Sequence, residues 1–386
     1  MQTTNEIPFL KPFVPPTLDL IKYIERIRKS GQLTNAGEIH AEFEEALCRY
    51  LKVEHISLFS SGTLALTIAL KALHLKGEVI TTPFTSPATL QAIVWNNLTP
   101  VFVDIDPFDL NIDPKLIEKA ITADTCAILP VHIFGSPCKT DEISAISEKY
   151  NIPVIYDAAH CFGVEVDGQS ICNFGAMSVL SFHATKVFNT LEGGAVICRD
   201  ARMKQHIDAL KNTGINKKNL LDGYGLNAKM NELQAAYGLS HLQFMDEILI
   251  SRKVAAETYF DELSNIEGIR FQMVKPEVRR NYPYIPVLID PAQFGNNRDA
   301  LFDFLSSRRT QTKKYFYPLV SDFKEFGKFK RDEMPVADWV TRNILCLPMF
   351  YDISVDQIRE VSSAIKEFQK LHYQPASTQM EPLISG

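Results

Sequence analysis

Ile152-Pro153-Val154-Ile155-Tyr156-Asp157-Ala158-Ala159-His160 is an apolar run that stops at an acid and then turns. So short a run, without polar alternation, suits a strand buried on both faces. An aspartate at the carboxyl end of such a strand stands where open α/β sheets bind ligands. In isolation it is as readily a turn or cap residue.

The same texture recurs outward from this strand, between about residues 40 and 240. Residues 42–51 carry apolar side chains at helical spacing, 56–59 read as a strand, and 64–73 are apolar on nearly every face, as in a buried helix. Residues 79–82, 101–103, 127–131, 179–182 and 195–198 are further strand candidates, with Pro130 near the end of its run. Leu116, Ile117, Ala120 and Ile121, then Ile143, Ile146 and Tyr150, mark helices between them. Apolar strands separated by helices predict an α/β fold with a mostly parallel sheet covered on both faces. After about residue 245 the texture changes. A helix over 246–263 precedes strand candidates at 269–274 and 282–289 and helices at 298–307 and 355–371. The expectation is a large domain over 1–245 with an N-terminal arm, and a smaller α+β domain over 246–386 ending in a polar tail at 373–386.

Chemistry gathers at the strand ends of the first part. Ser61-Gly62-Thr63 opens a helix directly after a strand, and free N–H groups at such a start suit a phosphate. Alone, the same residues are an ordinary cap. No Gly-x-x-x-x-Gly-Lys-Ser/Thr occurs, and no Gly-x-Gly-x-x-Gly follows the first strand, which removes the ATPase reading and weakens a dinucleotide one. Lys186 ends Ser181-Phe182-His183-Ala184-Thr185-Lys186, just before Glu192-Gly193-Gly194-Ala195. With Asp157 it forms the pair that pyridoxal phosphate requires: an amine to condense with the aldehyde, and a carboxylate to keep the ring nitrogen protonated. His160 lies one helical turn on and can reach the ring's 3-hydroxyl, while Ser181 can donate to the same phosphate as Thr63. The plainer alternatives are a solvated lysine, a structural histidine and a glycine turn at Gly193-Gly194. Asp157 and His160 as metal ligands lack a third partner nearby, so no metal is expected.

Composition limits the partners. The 386 residues are 46% hydrophobic and 22% charged, ordinary for a globular enzyme with a sizeable core. A formal net charge of −6 with no long Lys/Arg block argues against nucleic acid. The residues at 1–6 lack a signal peptide's basic and apolar regions, and no apolar run approaches the ~20 residues needed to span a bilayer, so no membrane partner is expected. Seven scattered cysteines without a Cys-x-x-Cys pair read as reduced thiols of a cytoplasmic protein.

These motifs, in this order, resemble the DegT/DnrJ/EryC1/StrS family of pyridoxal-phosphate-dependent nucleotide-sugar aminotransferases over nearly the whole chain. Gly31-Gln32-Leu33-Thr34-Asn35-Ala36-Gly37 is similar to the family's N-terminal loop, and Phe43-Glu44 to its following helix. Residues 225–236 resemble the segment that reaches toward a neighbouring subunit. The resemblance implies the fold type I, aspartate-aminotransferase-like architecture, with a mixed, mostly parallel sheet. It also implies a homodimer with shared active sites, a cofactor alternating between pyridoxal and pyridoxamine phosphate, and L-glutamate as donor. It places Gly62, Thr63, Asp157, His160, Ser181 and Lys186 at the cofactor, with Lys186, Asp157 and His160 catalytic, and Asn227 at the partner's phosphate. Thr34, Asn35, Lys314 and Tyr317 are candidates for the substrate, the last two from an aromatic stretch behind two lysines that reads equally as a core strand with solvated lysines. Two departures stand out. Ser86 occupies the place where many relatives carry a ring-stacking aromatic, which leaves Phe84 as the candidate for that role. Lys229 replaces a common arginine, so no guanidinium-specific contact is expected. The spelling around Lys186 resembles relatives that aminate C4, implying conversion of dTDP-4-keto-6-deoxy-D-glucose to dTDP-4-amino-4,6-dideoxy-D-glucose for O-antigen synthesis. A C3 aminotransferase, a sugar dehydratase (whose family members replace the lysine by histidine) and a non-catalytic cofactor-binding regulator are the competitors.

Overall fold

The computed structural model describes residues 6–329 and 332–372; the tail expected at 373–386 lies outside them. Two groups of strands join edge to edge. Thr99–Phe102, Glu78–Thr81 and Thr125–Ile128 pair in parallel. Single parallel bridges, Ile128 to Val154 and Val131 to Asp157, carry the order on to Ile155–Asp157. Then come Met177–Ser181 in parallel and Gly194–Cys198 and His55–Phe59 antiparallel to their neighbours. Only Gly194–Cys198 runs against the rest, which makes the mixed, mostly parallel sheet that was expected.

Strand alternation divides the sheet's side chains between two cores. Leu58, Leu180, Ala195 and Ile197 face Phe43, Leu47, Phe182, Phe188 and Ile248. Phe59, Val179, Val196 and Cys198 face Ala65, Ile68 and Ala69 of the helix Gly62–Ala72. That helix is buried around much of its circumference, as its near-continuous apolar sequence requires.

The C-terminal part is an antiparallel sheet of Ile269–Phe271, Ile285–Ile289 and Ile344–Leu347. The helices Met245–Leu263, Arg298–Ser307 and Val355–His372 share its core. Ile344–Leu347 was not anticipated: it follows a helix at once and is apolar throughout, so it has no alternation to announce it. Tyr23 and Ile27 of the N-terminal helix Thr17–Ser30 pack into the core around Leu58 and Leu180, whereas Ile7, ahead of that helix, pairs with Thr310 and joins this smaller sheet's core. In the opposite sense, Val278–Arg279 pairs with Glu165–Val166.

Candidate active site

Three chain segments deliver the site to the carboxyl ends of parallel strands of one sheet. Ser61 caps the helix Gly62–Ala72 by accepting the Leu64 N–H at 3.2 Å. Among the described residues no protein acceptor is recorded for the Gly62 and Thr63 N–H groups, which as the first N–H groups of a helix suit an anion. Asp157 ends its strand and Ser181 the adjacent one. Gly62, Thr63, Asp157, His160, Ser181 and Lys186 together line one cavity of about 240 Å³.

Asp157 is buried, and burial raises its pKa above the ordinary carboxylate value. The Thr89 hydroxyl donates to Oδ2 at 2.8 Å and the Ala159 N–H to Oδ1 at 3.1 Å, both opposing that rise, as does the charge on Lys186. Lys186 is half-buried in the lining and has no ion pair among the described residues. Burial pushes its pKa down to about 8, with Asp157 the first opposing influence.

His160 Nδ1 accepts the N–H of Phe134 at 3.2 Å, so the ring's proton sits on Nε2. Burial, then the nearby Lys186, holds its pKa well below the ordinary histidine value, and the ring stays neutral. His160, Phe134 and Phe316 lie parallel to within 5°, with centroids 5.9–6.3 Å apart.

A second compartment of about 580 Å³ opens from the first, sharing Thr85, Ser86, His160, Thr185, Lys186 and Phe316. Lys314 and Tyr317 line it. Lys314 is paired with Asp299 at 2.5 Å, and the buried Arg298 guanidinium lies 4.9 Å from the Tyr317 ring centroid.

The remaining candidates lie outside both compartments. Phe84 lines neither compartment. It is fully buried, edge-on to Phe134 and Phe316, so it supports the aromatic wall from behind. Phe316, on the far side in sequence, presents itself to both compartments instead. Thr34 and Asn35 are exposed and line neither compartment of their own chain. Their loop is anchored by the buried Glu232 carboxylate, which accepts the N–H groups of Gly37, Ile39 and His40. Asn227 is likewise exposed and outside the cavity, its Oδ1 accepting from Lys229 Nζ at 2.9 Å. Sequence reasoning missed Thr85 and Thr89, two of several hydroxyl residues in the stretch 81–89 that nothing local sets apart.

Pyridoxal phosphate fits these residues on two observations. Asp157 is a buried carboxylate with no hydrogen-bonded cation, which a protonated ring nitrogen would supply. Beside it stands a lysine whose depressed pKa leaves a fraction of reactive neutral amine near neutral pH. Gly62 and Thr63 N–H and the Ser181 hydroxyl would hold the phosphate.

The model of the DegT/DnrJ/EryC1/StrS aminotransferase family matches residues 17–366. The dTDP-4-amino-4,6-dideoxy-D-glucose transaminase of Shigella dysenteriae is 45% identical over 360 residues, covering 93% of this chain and 98% of that protein. The Escherichia coli enzyme of the same name is 40% identical over 365 residues, at 93% and 98% coverage. The crystal structure of DesI in the presence of its TDP-sugar product superposes with a TM-score of 0.90 at 32% identity, over 94% of this chain and 93% of that one. Among the described residues no helix is long and apolar enough to cross a membrane, and no group of three His, Cys, Asp or Glu could hold a metal ion.

Proposed function

The chain belongs to the DegT/DnrJ/EryC1/StrS aminotransferase family, and we propose that it transfers the amino group of L-glutamate to C4 of dTDP-4-keto-6-deoxy-D-glucose. The products are 2-oxoglutarate and dTDP-4-amino-4,6-dideoxy-D-glucose, a building block for surface polysaccharide such as O-antigen. The observation that carries the reading is 45% identity, across 93% of this chain, to an enzyme named for that product.

Pyridoxal phosphate, when bound, supplies the aldehyde that takes up the amino group and the charged ring that draws electrons from the adjacent carbon. Asp157 keeps a proton on the ring nitrogen by remaining ionised beside it. His160, neutral and with its Nε2–H free to donate, would offer that proton to the ring's 3-hydroxyl without adding a competing charge. Gly62, Thr63 and Ser181 hold the phosphate end. Lys186 Nζ would take the proton from the α-carbon of glutamate and, in the second half-reaction, deliver a proton at C4 of the sugar. Lys314 and Tyr317 border the compartment through which the nucleotide sugar enters.

The protein acts as a cytoplasmic homodimer, with Asn227 of one subunit completing the phosphate site of the other. Its exposure outside its own cavity supports that role. The test is NMR of the product after incubation with pyridoxal phosphate, L-glutamate and a panel of keto-sugar nucleotides. Amination at C4 of the dTDP sugar is expected; amination at C3, or dehydration without amination, would reject the reading.

A further inference from the structure

Asp157 is held from two sides by groups of different origin. The Ala159 N–H belongs to its own turn. The Thr89 hydroxyl comes from the separate helix Pro87–Trp95, which the mechanism above does not use. Behind it, Thr85 Oγ1 lies 2.8 Å from Thr89 Oγ1, and both threonines are buried.

An ionised carboxylate can only accept, so the single Thr89 proton points at Asp157 Oδ2. The Thr89 oxygen is then the acceptor for Thr85. The row is directional: Thr85 donates to Thr89, and Thr89 to Asp157. Helical threonines commonly return their hydroxyl to a carbonyl one turn back, as Thr67 does to Thr63 and Thr258 to Val254. Thr89 forgoes that bond and spends its proton on the carboxylate.

We infer that Thr89, backed by Thr85, is a positioning residue that holds the Asp157 carboxylate ionised and fixed in place for the cofactor's ring nitrogen. A buried hydroxyl needs some partner, but neither of these hydroxyls is recorded bonding to backbone; both are aligned on the one acid the site depends on. The inference rests on the reading of the site as one for pyridoxal phosphate.

The test compares wild type with Thr89→Val, Thr89→Ser and Thr85→Val. Dissociation constants for pyridoxal phosphate are titrated on cofactor-free protein, and kcat and KM are measured for both substrates. Loss of a hydrogen bond to a charged group should weaken cofactor binding roughly tenfold or more in Thr89→Val. kcat should fall by a similar factor while both KM values stay within about twofold, because the row touches no substrate. Thr89→Ser should restore both quantities, and Thr85→Val should shift them in the same direction by less. Wild-type affinity and kcat in Thr89→Val would overturn the inference. So would a loss that Thr89→Ser does not recover, since that would mark a packing defect. If Thr89→Val does not fold, as judged by circular dichroism, Thr85→Val decides: unchanged affinity overturns the inference. Wild-type protein that binds no pyridoxal phosphate would instead sink the functional reading beneath it.

Discussion

Gly194 and Gly62 meet backbone against backbone: a Cβ built on Gly194 would lie 2.7 Å from both the Cα and the N of Gly62. A Cβ on Gly62 would in turn lie 2.8 Å from that of Ser181. This contact sets the helix start directly upon the strands, and so brings the two halves of the phosphate cradle together. Gly194→Ala should cost roughly 1–3 kcal/mol by overpacking rigid backbone and should weaken cofactor binding. Thermal melts with and without pyridoxal phosphate check it; a variant with the wild-type melting temperature and the wild-type ligand-induced rise would contradict the contact's role.

Lys186→Ala should lower turnover by roughly 10²–10⁴-fold or more, because the group that moves the proton is gone. In wild type, borohydride treatment should attach the cofactor permanently to the peptide containing Lys186, read by mass spectrometry. Attachment at another lysine would refute the assignment.

Stability of the cofactor-free protein should carry the signature of the same amine. Its folded pKa is lowered, to about 8 from 10.5, so between those values the folded chain holds fewer protons than the unfolded one. The resulting penalty is full below about pH 8 and is relieved as pH rises toward the ordinary lysine value. Lys186→Met removes the penalty. Its melting temperature should therefore exceed that of wild type most near neutral pH, with the gap closing by about pH 10. A gap that widened with pH would reverse the sign and reject the argument.

His160→Phe should strand the Phe134 N–H that Nδ1 now accepts, costing about 1–3 kcal/mol in chemical denaturation. His160→Gln, which offers an acceptor oxygen, should recover part of this. Because the ring is neutral well below the usual histidine range, the wild-type pH–rate profile should show no step assignable to His160 near neutrality. Such a step, if abolished in His160→Gln, would contradict the burial argument.

Shared active sites predict complementation. Lys186→Ala and Asn227→Ala proteins should each be weak alone, and unfolding and refolding them together should restore activity in mixed dimers. No recovery, with dimer formation verified by sedimentation, would place Asn227 outside the partner's site.

Most of the reactive set was legible before any coordinates. Lys186, Asp157, His160, Ser181 and Thr63 were named from local signals, and all of them line one cavity. The reason is topological: residues at the carboxyl ends of parallel strands in one sheet emerge at the same edge, whatever connects those strands. Phe84 and Phe316 expose the limit. Two aromatics in apolar surroundings look alike in sequence, and only packing decides which one forms the wall and which one backs it. Thr34, Asn35 and Asn227 raise a different difficulty: exposed and outside the cavity of their own chain, they look like ordinary loop residues.

The chain's composition and the order of its short motifs were enough to point to an α/β enzyme of this family and to single out an amine and a carboxylate as the candidate reactive pair. Those are properties of side-chain chemistry and strand order, and both are written locally. The lowered proton affinity of Lys186, the neutral tautomer of His160 and the hydroxyl row behind Asp157 emerged only in three dimensions. Each depends on the distance to groups remote in sequence and on the exclusion of water, and neither exists until the chain has packed.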